Sequence, residues 1–316
     1  MRFRDQALYA ELDRQLLLFG REKYPLPGVS SALERDVFIR QLIDSIRRVK
    51  YVYTICGRDV SSSRADPASD YFDPLKASVL FQRQGMIDEA FWLVFLAIHF
   101  GKNLKTGWRL TRDIYGRLGD PNHWTWSRTS SDPNDFKQWL SNSYSVLTGD
   151  GIPRYFGNHR KYETLKPNSN RSTGLVIESY INWVGHYGGH ESLIQSVGSE
   201  VDYNPRGMFN YLYRSMNEVI SFGRTARFDY LTMVAKMGLA PIEPGSTYMQ
   251  GSTGPIKGAR LLFGGNMGAN VSRSALERRL IGLEEDLSLG EIGMQVIEDA
   301  LCNWQKSPRA YKYFAG

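Results

Sequence analysis

Residues 222–265 read FGRTARFDYLTMVAKMGLAPIEPGSTYMQGSTGPIKGARLLFGG. From Arg224 to Met237 the spacing is helical: Phe228, Leu231, Val234 and Ala235 recur at offsets of three and four and share one face. Gly238 closes this helix, and Pro241 and Pro244 keep it from restarting. The second half combines Gly254-Pro255, the basic Lys257, the small pair Gly258-Ala259 and the apolar run 261–263. That pattern predicts a tight turn with exposed backbone N–H groups and a short helix start, whose dipole favours phosphate. Asp229 stands among Arg224 and Arg227, its expected charge partners, beside this basic turn. The combination points to a nucleic-acid site. The plainer alternative is a buried helix with an Asp–Arg pair, followed by an ordinary loop.

On either side of this stretch the pattern stays helical. Leu8, Leu12, Leu16 and Phe19 form one stripe of a helix over 5–19. Ser31 and Glu34 have capping-box spacing, and the helix they open carries Ile39, Leu42, Ile43 and Ile46 inward to about Tyr53. After a polar loop at 57–74, helices are expected at 74–82, 87–100 and 108–118. A further helix start lies near Pro133. Residues 149–174, GDGIPRYFGNHRKYETLKPNSNRSTG, form a basic loop or linker. Helices at 174–184 and 207–221 lead back into the opening stretch, and others follow at 272–287 and 290–305. Strand alternation, fixed-period repeats and low-complexity tracts are all missing, so the chain reads as all-α.

Composition narrows the function classes. The chain has 316 residues, 42% of them hydrophobic and 23% charged, which supports a packed core rather than a disordered chain. The formal net charge of +6 favours an anionic partner. Cys56 and Cys302 form no CxxC pair, so zinc-ribbon, thiol-redox and iron–sulfur readings lack support and a reducing, cytoplasmic setting is expected. The charged start MRFRDQALYAELDRQ is unlike a signal peptide. The longest apolar run, 90–98, is too short to span a bilayer and reads as a core helix.

No P-loop is present, and the glycines from Gly264 lack the preceding strand of a dinucleotide fold. His186 and His190 are separated by Gly188-Gly189, which weakens a helical metal pair. No metal and no cofactor are therefore expected. Carboxylates are the better candidates for chemistry: Asp229 first, then Glu298 and Asp299 in the tail. The tail doublet reads equally as a solvated acidic face. Glu89 complements a helix dipole. His99, at the end of the apolar helix, is either a base-pocket residue or a hydrogen-bonded core histidine. Basic and aromatic residues interleave at 124–128 (WTWSR), 159–162 (HRKY) and 223–227 (GRTAR). These clusters suit phosphate contact and base stacking, or else surface charge over an aromatic core. Lys102, Arg109, His159, Arg160, Lys161, Arg224, Arg227 and Lys257 are the candidate DNA contacts. Trp124, Trp126 and Tyr162 are the candidate stacking residues.

Six ordered segments carry a family resemblance: 72–102, 107–119, 157–165, 220–244, 253–265 and 297–306. Together they resemble the alpha-glutamyl/putrescinyl thymine pyrophosphorylase clade 3 family, over roughly residue 35 to the end. The resemblance implies chemistry on bulky thymine adducts of phage DNA. It also implies kinship with helical DNA glycosylases, including anti-phage enzymes acting on glucosylated hydroxymethylcytosine. In helix-hairpin-helix glycosylases a glycine-rich hairpin precedes the catalytic Asp, and TGPIKGARLL looks like such a hairpin. At the corresponding distance, residues 272–277 hold no Asp, and Asp286 lies further on. The catalytic carboxylate is therefore sought among Asp229, Glu298 and Asp299.

The expected architecture is a helical DNA-glycosylase-like globule, in one or two lobes, with a DNA cleft. Residues 1–34 would form an amino-terminal helix and linker. Residues 35–316 would form the catalytic domain, with lobes at 35–148 and 149–316. The expected activity is a DNA N-glycosylase that excises a bulky modified base from double-stranded phage DNA, leaving abasic sites, as a defence. No membrane association and no obligate protein partner are expected. The alternatives are a base-modifying transferase or pyrophosphorylase acting on an activated hydroxymethyl pyrimidine, and a non-catalytic helical DNA-binding module.

Overall fold

The structure, a computed structural model, describes residues 5–160 and 162–314. Among these, all extended regular structure is helical, and the only pairings of strand type are isolated bridges at Asn103–Gly107 and Thr164–Ser172. The fold is all-α, as the periodicity predicts. The chain divides into two compact units. One joins Met1–Tyr53 to Glu243–Gly316, and the other is Thr54–Ile242. The first unit is thus discontinuous in sequence.

The discontinuous unit contains α1 (Gln6–Glu22), most of α2 (Ala32–Cys56), α13 (Gly254–Gly264), α14 (Arg273–Leu287) and α15 (Gly293–Trp304). Ser31 Oγ accepts from the Glu34 N–H at 3.2 Å and donates to the Glu34 carboxylate at 2.9 Å, which stabilises the start of α2. The predicted faces are buried: Leu12, Leu16 and Phe19 on α1 and Ile39, Leu42, Ile43 and Ile46 on α2 join one core with α13, α14 and α15. Each such side chain contributes about 1.5–3 kcal/mol of transfer free energy.

The expected hairpin at 253–262 is instead a helix. Residues 237–253 are irregular and α13 then runs eleven residues, so no tight hairpin links two helices here. Its small residues serve helix crossing: a Cβ at Gly258 would collide with the Leu301 carbonyl of α15. The glycine that reads as turn chemistry in sequence is a close-packing glycine in the fold.

The second unit is built around α4 (Ile87–Phe100), which is buried almost all round, as its continuous apolar run demands. It packs on α3 (Pro74–Arg83) and α12 (Arg224–Lys236). Ser78 Oγ of α3 donates to the Ala90 carbonyl at 2.8 Å, a small buried polar tie. Around them lie α5 (Arg109–Tyr115), α6 (Trp126–Ser131), α7 (Pro133–Asn142), α8 (Tyr144–Gly149), α9 (Thr173–Gly185), α10 (His190–Glu200) and α11 (Pro205–Ser215). Three of these, α6, α8 and α10, are short helices that the sequence pattern does not reveal. Among the described residues no helix is long and apolar enough to cross a membrane.

Candidate active site

Helix α4 ends where Gly101 adopts a positive φ of 69°. Gly157 lies directly against it, so close that a Cβ there would sit 2.9 Å from Gly101 backbone carbons. The approach lets the Gly157 N–H donate to the Phe100 carbonyl at 2.8 Å. One turn later, Arg160 Nε donates to the Ile98 carbonyl at 2.6 Å. A cation at a helix carboxy terminus is favoured by the orphan carbonyls and by the dipole. The same guanidinium reaches across to α12, where Nη2 donates to Asp229 Oδ2 at 2.9 Å. The Arg160 side chain is 10% exposed and that of Asp229 40% exposed. A largely buried cation thus fixes a carboxylate that still faces solvent.

Glu163 belongs to the same electrostatic cluster. Burial pushes its carboxyl above the usual range, against the pull of Arg171 and then Arg160, and Ser221 is a further partner. Its Oε2 atom is buried without a hydrogen bond. Arg171 Nε donates to Ser221 Oγ at 3.2 Å, which ties the segment after Glu163 to the entry of α12. The loop that carries Glu163 is closed by the Thr173 N–H bond to the Thr164 carbonyl at 2.9 Å.

Behind the ion pair lies an aromatic floor. Phe95 stacks with Tyr180 at 3.7 Å and with Phe222 at 5.0 Å between ring centroids. His99 stacks over Phe95 and meets Phe156 edge-on. The Thr173 hydroxyl donates to the Thr164 carbonyl, so His99 Nε2–H donates to Thr173 Oγ1 at 3.1 Å. Burial, with Arg160 nearby, pushes His99 down to about 3, and the ring is neutral. His99 is therefore a core histidine of the site wall rather than a group that meets a base.

A buried polar chain holds α12 to its neighbours. The Tyr230 hydroxyl meets the Tyr180 hydroxyl at 2.8 Å, Tyr180 meets His190 Nε2 at 2.7 Å, and His190 Nδ1 meets Asp88 Oδ1 at 2.6 Å. Burial keeps His190 neutral, and its hydrogen bond lowers Asp88 below the usual carboxylate range. One tautomer satisfies every link: Nδ1–H donates to Asp88, Nε2 accepts from Tyr180, and Tyr180 accepts from Tyr230. The metal pair of His186 and His190, already weakened in the sequence by Gly188-Gly189, is not assembled: His190 is sealed while His186 is exposed beside Glu218. Glu89, expected only to complement a dipole, joins Tyr115 and Trp126. Its carboxylate accepts from the Tyr115 hydroxyl and the Trp126 N–H, both at 2.7 Å.

Several expected site residues sit elsewhere. Trp124 is 0% exposed, with the guanidinium groups of Arg117 and Arg128 5.3 and 4.5 Å from its ring centre, so its ring is enclosed. Trp126 is 8% exposed and lies against His190 and Trp92. Arg227 turns to Tyr213, donating to its carbonyl at 3.0 Å and covering its ring, while Arg224 covers Phe228. The partner of Asp229 is Arg160, 69 positions away in sequence.

Asp299 belongs to the other unit, where Arg48 binds it at 2.7 Å and Asn303 at 2.9 Å. That makes it a structural ion pair. Glu298, half-buried beside it, and Lys257, exposed on α13, lie in that unit as well. Lys102 sits over the Trp108 ring at 5.9 Å, Arg109 is half-buried at the start of α5, and His159 and Tyr162 are exposed. Lys161 lies outside the described residues.

The arrangement offers a solvent-facing carboxylate, a second carboxyl raised by burial, and a fixed guanidinium between helices. No group of His, Cys, Asp and Glu among the described residues could hold a metal ion. This is equipment for acid–base and electrostatic work on a small polar group. No curated protein and no solved structure matches the chain. A family model matches residues 33–316, nearly the whole sequence, and by it the chain belongs to the alpha-glutamyl/putrescinyl thymine pyrophosphorylase clade 3 family.

Proposed function

We propose that this protein is a DNA N-glycosylase that removes a bulky modified pyrimidine from duplex DNA and leaves an abasic site. The observation that carries the reading is the Arg160–Asp229 pair, a half-exposed carboxylate anchored by a nearly buried guanidinium. The family description, which names thymine chemistry, supports a pyrimidine substrate. The target base would be flipped out of the stack to reach the carboxylate. The glycosidic bond breaks with its electron pair leaving on the base, and the sugar carbon becomes cationic. Asp229 offsets that charge and takes the proton of the water that adds to the sugar. Glu163, raised by burial, gives its proton to the departing base. Lys102, Arg109, His159, Lys161 and Arg224 are the proposed phosphate contacts. Abasic sites in a phage genome would make the activity a defence.

The family description also favours a second reading, a transferase that displaces pyrophosphate from an activated hydroxymethyl pyrimidine. In that case Arg160 and Arg171 would hold the diphosphate. One experiment separates the readings. The full chain is incubated with DNA carrying unmodified, hydroxymethylated or glucosylated hydroxymethyl pyrimidines, and with hydroxymethyl pyrimidine diphosphate DNA plus an amine. Free base with abasic sites supports the glycosylase, whereas pyrophosphate release with an adduct left on the DNA supports the transferase. Binding without either product leaves a non-catalytic module.

A further inference from the structure

We propose that Leu104 is a wedge that enters the DNA stack beside the flipped nucleotide, a role that rests on the DNA-processing reading above. Leu104 is 74% exposed, the most exposed of the large apolar side chains among the described residues. It sits at the tip of a turn that is built rather than loose. Asn103 and Gly107 exchange two backbone hydrogen bonds, at 3.0 and 2.9 Å. Gly107 supplies the positive φ of 59° that closes a three-residue tip. The Asn103 carbonyl oxygen of the side chain accepts from the Lys105 and Thr106 N–H groups, and its amide donates to the Phe156 carbonyl at 2.9 Å. An apolar side chain held out into water on a rigid turn gains nothing for folding. It gains transfer free energy only when a partner covers it.

The surroundings point to DNA as that partner. Lys102 and Lys105, both exposed, flank Leu104 on the same turn, as phosphate contacts on either side of an inserted residue would. The turn is fastened to the segment that carries the candidate site. Gly101 lies against Gly157, Asn103 bonds Phe156, and Arg160 follows to hold Asp229. Leu104 lies three positions beyond Gly101, a reach of at most about 11 Å, or roughly three base-pair steps. Trp124 and Trp126 are sealed in the core, so among the expected stacking residues only Tyr162 is exposed.

The test uses a duplex with one tetrahydrofuran abasic analogue next to 2-aminopurine, and an intact duplex of the same length. The wedge should give the wild-type chain a preference for the gapped duplex and a change in 2-aminopurine fluorescence on binding. L104A should cut affinity for the gapped duplex about tenfold, roughly 1.4 kcal/mol, and change affinity for the intact duplex less than twofold. L104F should restore the preference and the fluorescence change. If L104A binds both duplexes as the wild type does, with the same fluorescence change, the wedge assignment is overturned while the DNA reading stands. If the wild-type chain binds neither duplex, both fall together.

Discussion

At the scale of the residue, the site turns on which cation meets Asp229. Sequence proximity suggests Arg224 and Arg227, but offsets of five and two place neither squarely beside Asp229 on a helix, since facing neighbours are three or four apart. The actual partner, Arg160, comes from a loop that sequence periodicity leaves blank, and only tertiary contact reveals it. Asp229 itself was legible, as a carboxylate in a basic helix start. Glu163 was not, because its raised affinity for a proton comes from burial that no local pattern encodes. A pH dependence follows. A carboxyl raised in the folded state keeps its proton to higher pH, so general-acid activity should be full on the acid side and fall as pH rises through that raised value. E163Q should remove this basic limb and lower single-turnover base release by roughly 10²–10⁴-fold. The same sign holds for stability: the contribution of protonated Glu163 is present at low pH and lost as pH rises, so E163Q should flatten the slope of the melting temperature there. An unchanged profile of rate against pH would remove Glu163 from the mechanism.

The element scale shows where helical pattern suffices and where it does not. The long helices α1, α2, α4, α12, α14 and α15 were readable within a few residues because each buries a stripe or a whole surface. Helix α10 was hidden by Gly188-Gly189, which suggest a loop but in fact precede a start fixed by the His190 N–H bond to Asp88 at 2.9 Å. That start also anchors the chain from Asp88 through His190 and Tyr180 to Tyr230, the neighbour of Asp229. H190A should leave the Tyr180 hydroxyl without its acceptor, strip the ring bond from Asp88, which keeps the backbone N–H, and open a cavity beside Phe91, at a cost of about 2–4 kcal/mol. Because its hydrogen bond lowers Asp88, the contribution of that group is present at neutral pH and lost as pH falls through its lowered value. D88N should therefore weaken the acid dependence of unfolding. Denaturant melts between acid and neutral pH check both variants, and H190A melting like the wild type would show that the chain does not hold α12.

For the molecule as a whole, the all-α class follows from periodicity alone. The discontinuous unit does not, because residues 243–316 join the start of the chain through packing that no linker signal announces. Net charge of +6 gives a general attraction for DNA, and its local expression is testable. Replacing Lys102 and Lys105 by alanine should weaken binding to all duplex sequences alike. Each phosphate that the variant no longer neutralises should reduce the slope of log K against log salt by about 0.9. Equal salt slopes in filter-binding titrations of variant and wild type would show that this turn does not touch the backbone.

The carboxylate at Asp229 is the centre of the proposed chemistry, and one measurement addresses it. Single-turnover release of modified base is followed for wild type and D229N, with a melting curve for each, and with E298Q and D299N as parallel variants. The amide can accept neither the proton of water nor the charge of the sugar cation. D229N should therefore lose base release by roughly 10²–10⁴-fold while keeping its fold and its DNA affinity. E298Q should retain activity, and D299N should lose melting temperature through its Arg48 partner rather than lose rate per folded molecule. Full base release by a well-folded D229N protein would contradict the assignment.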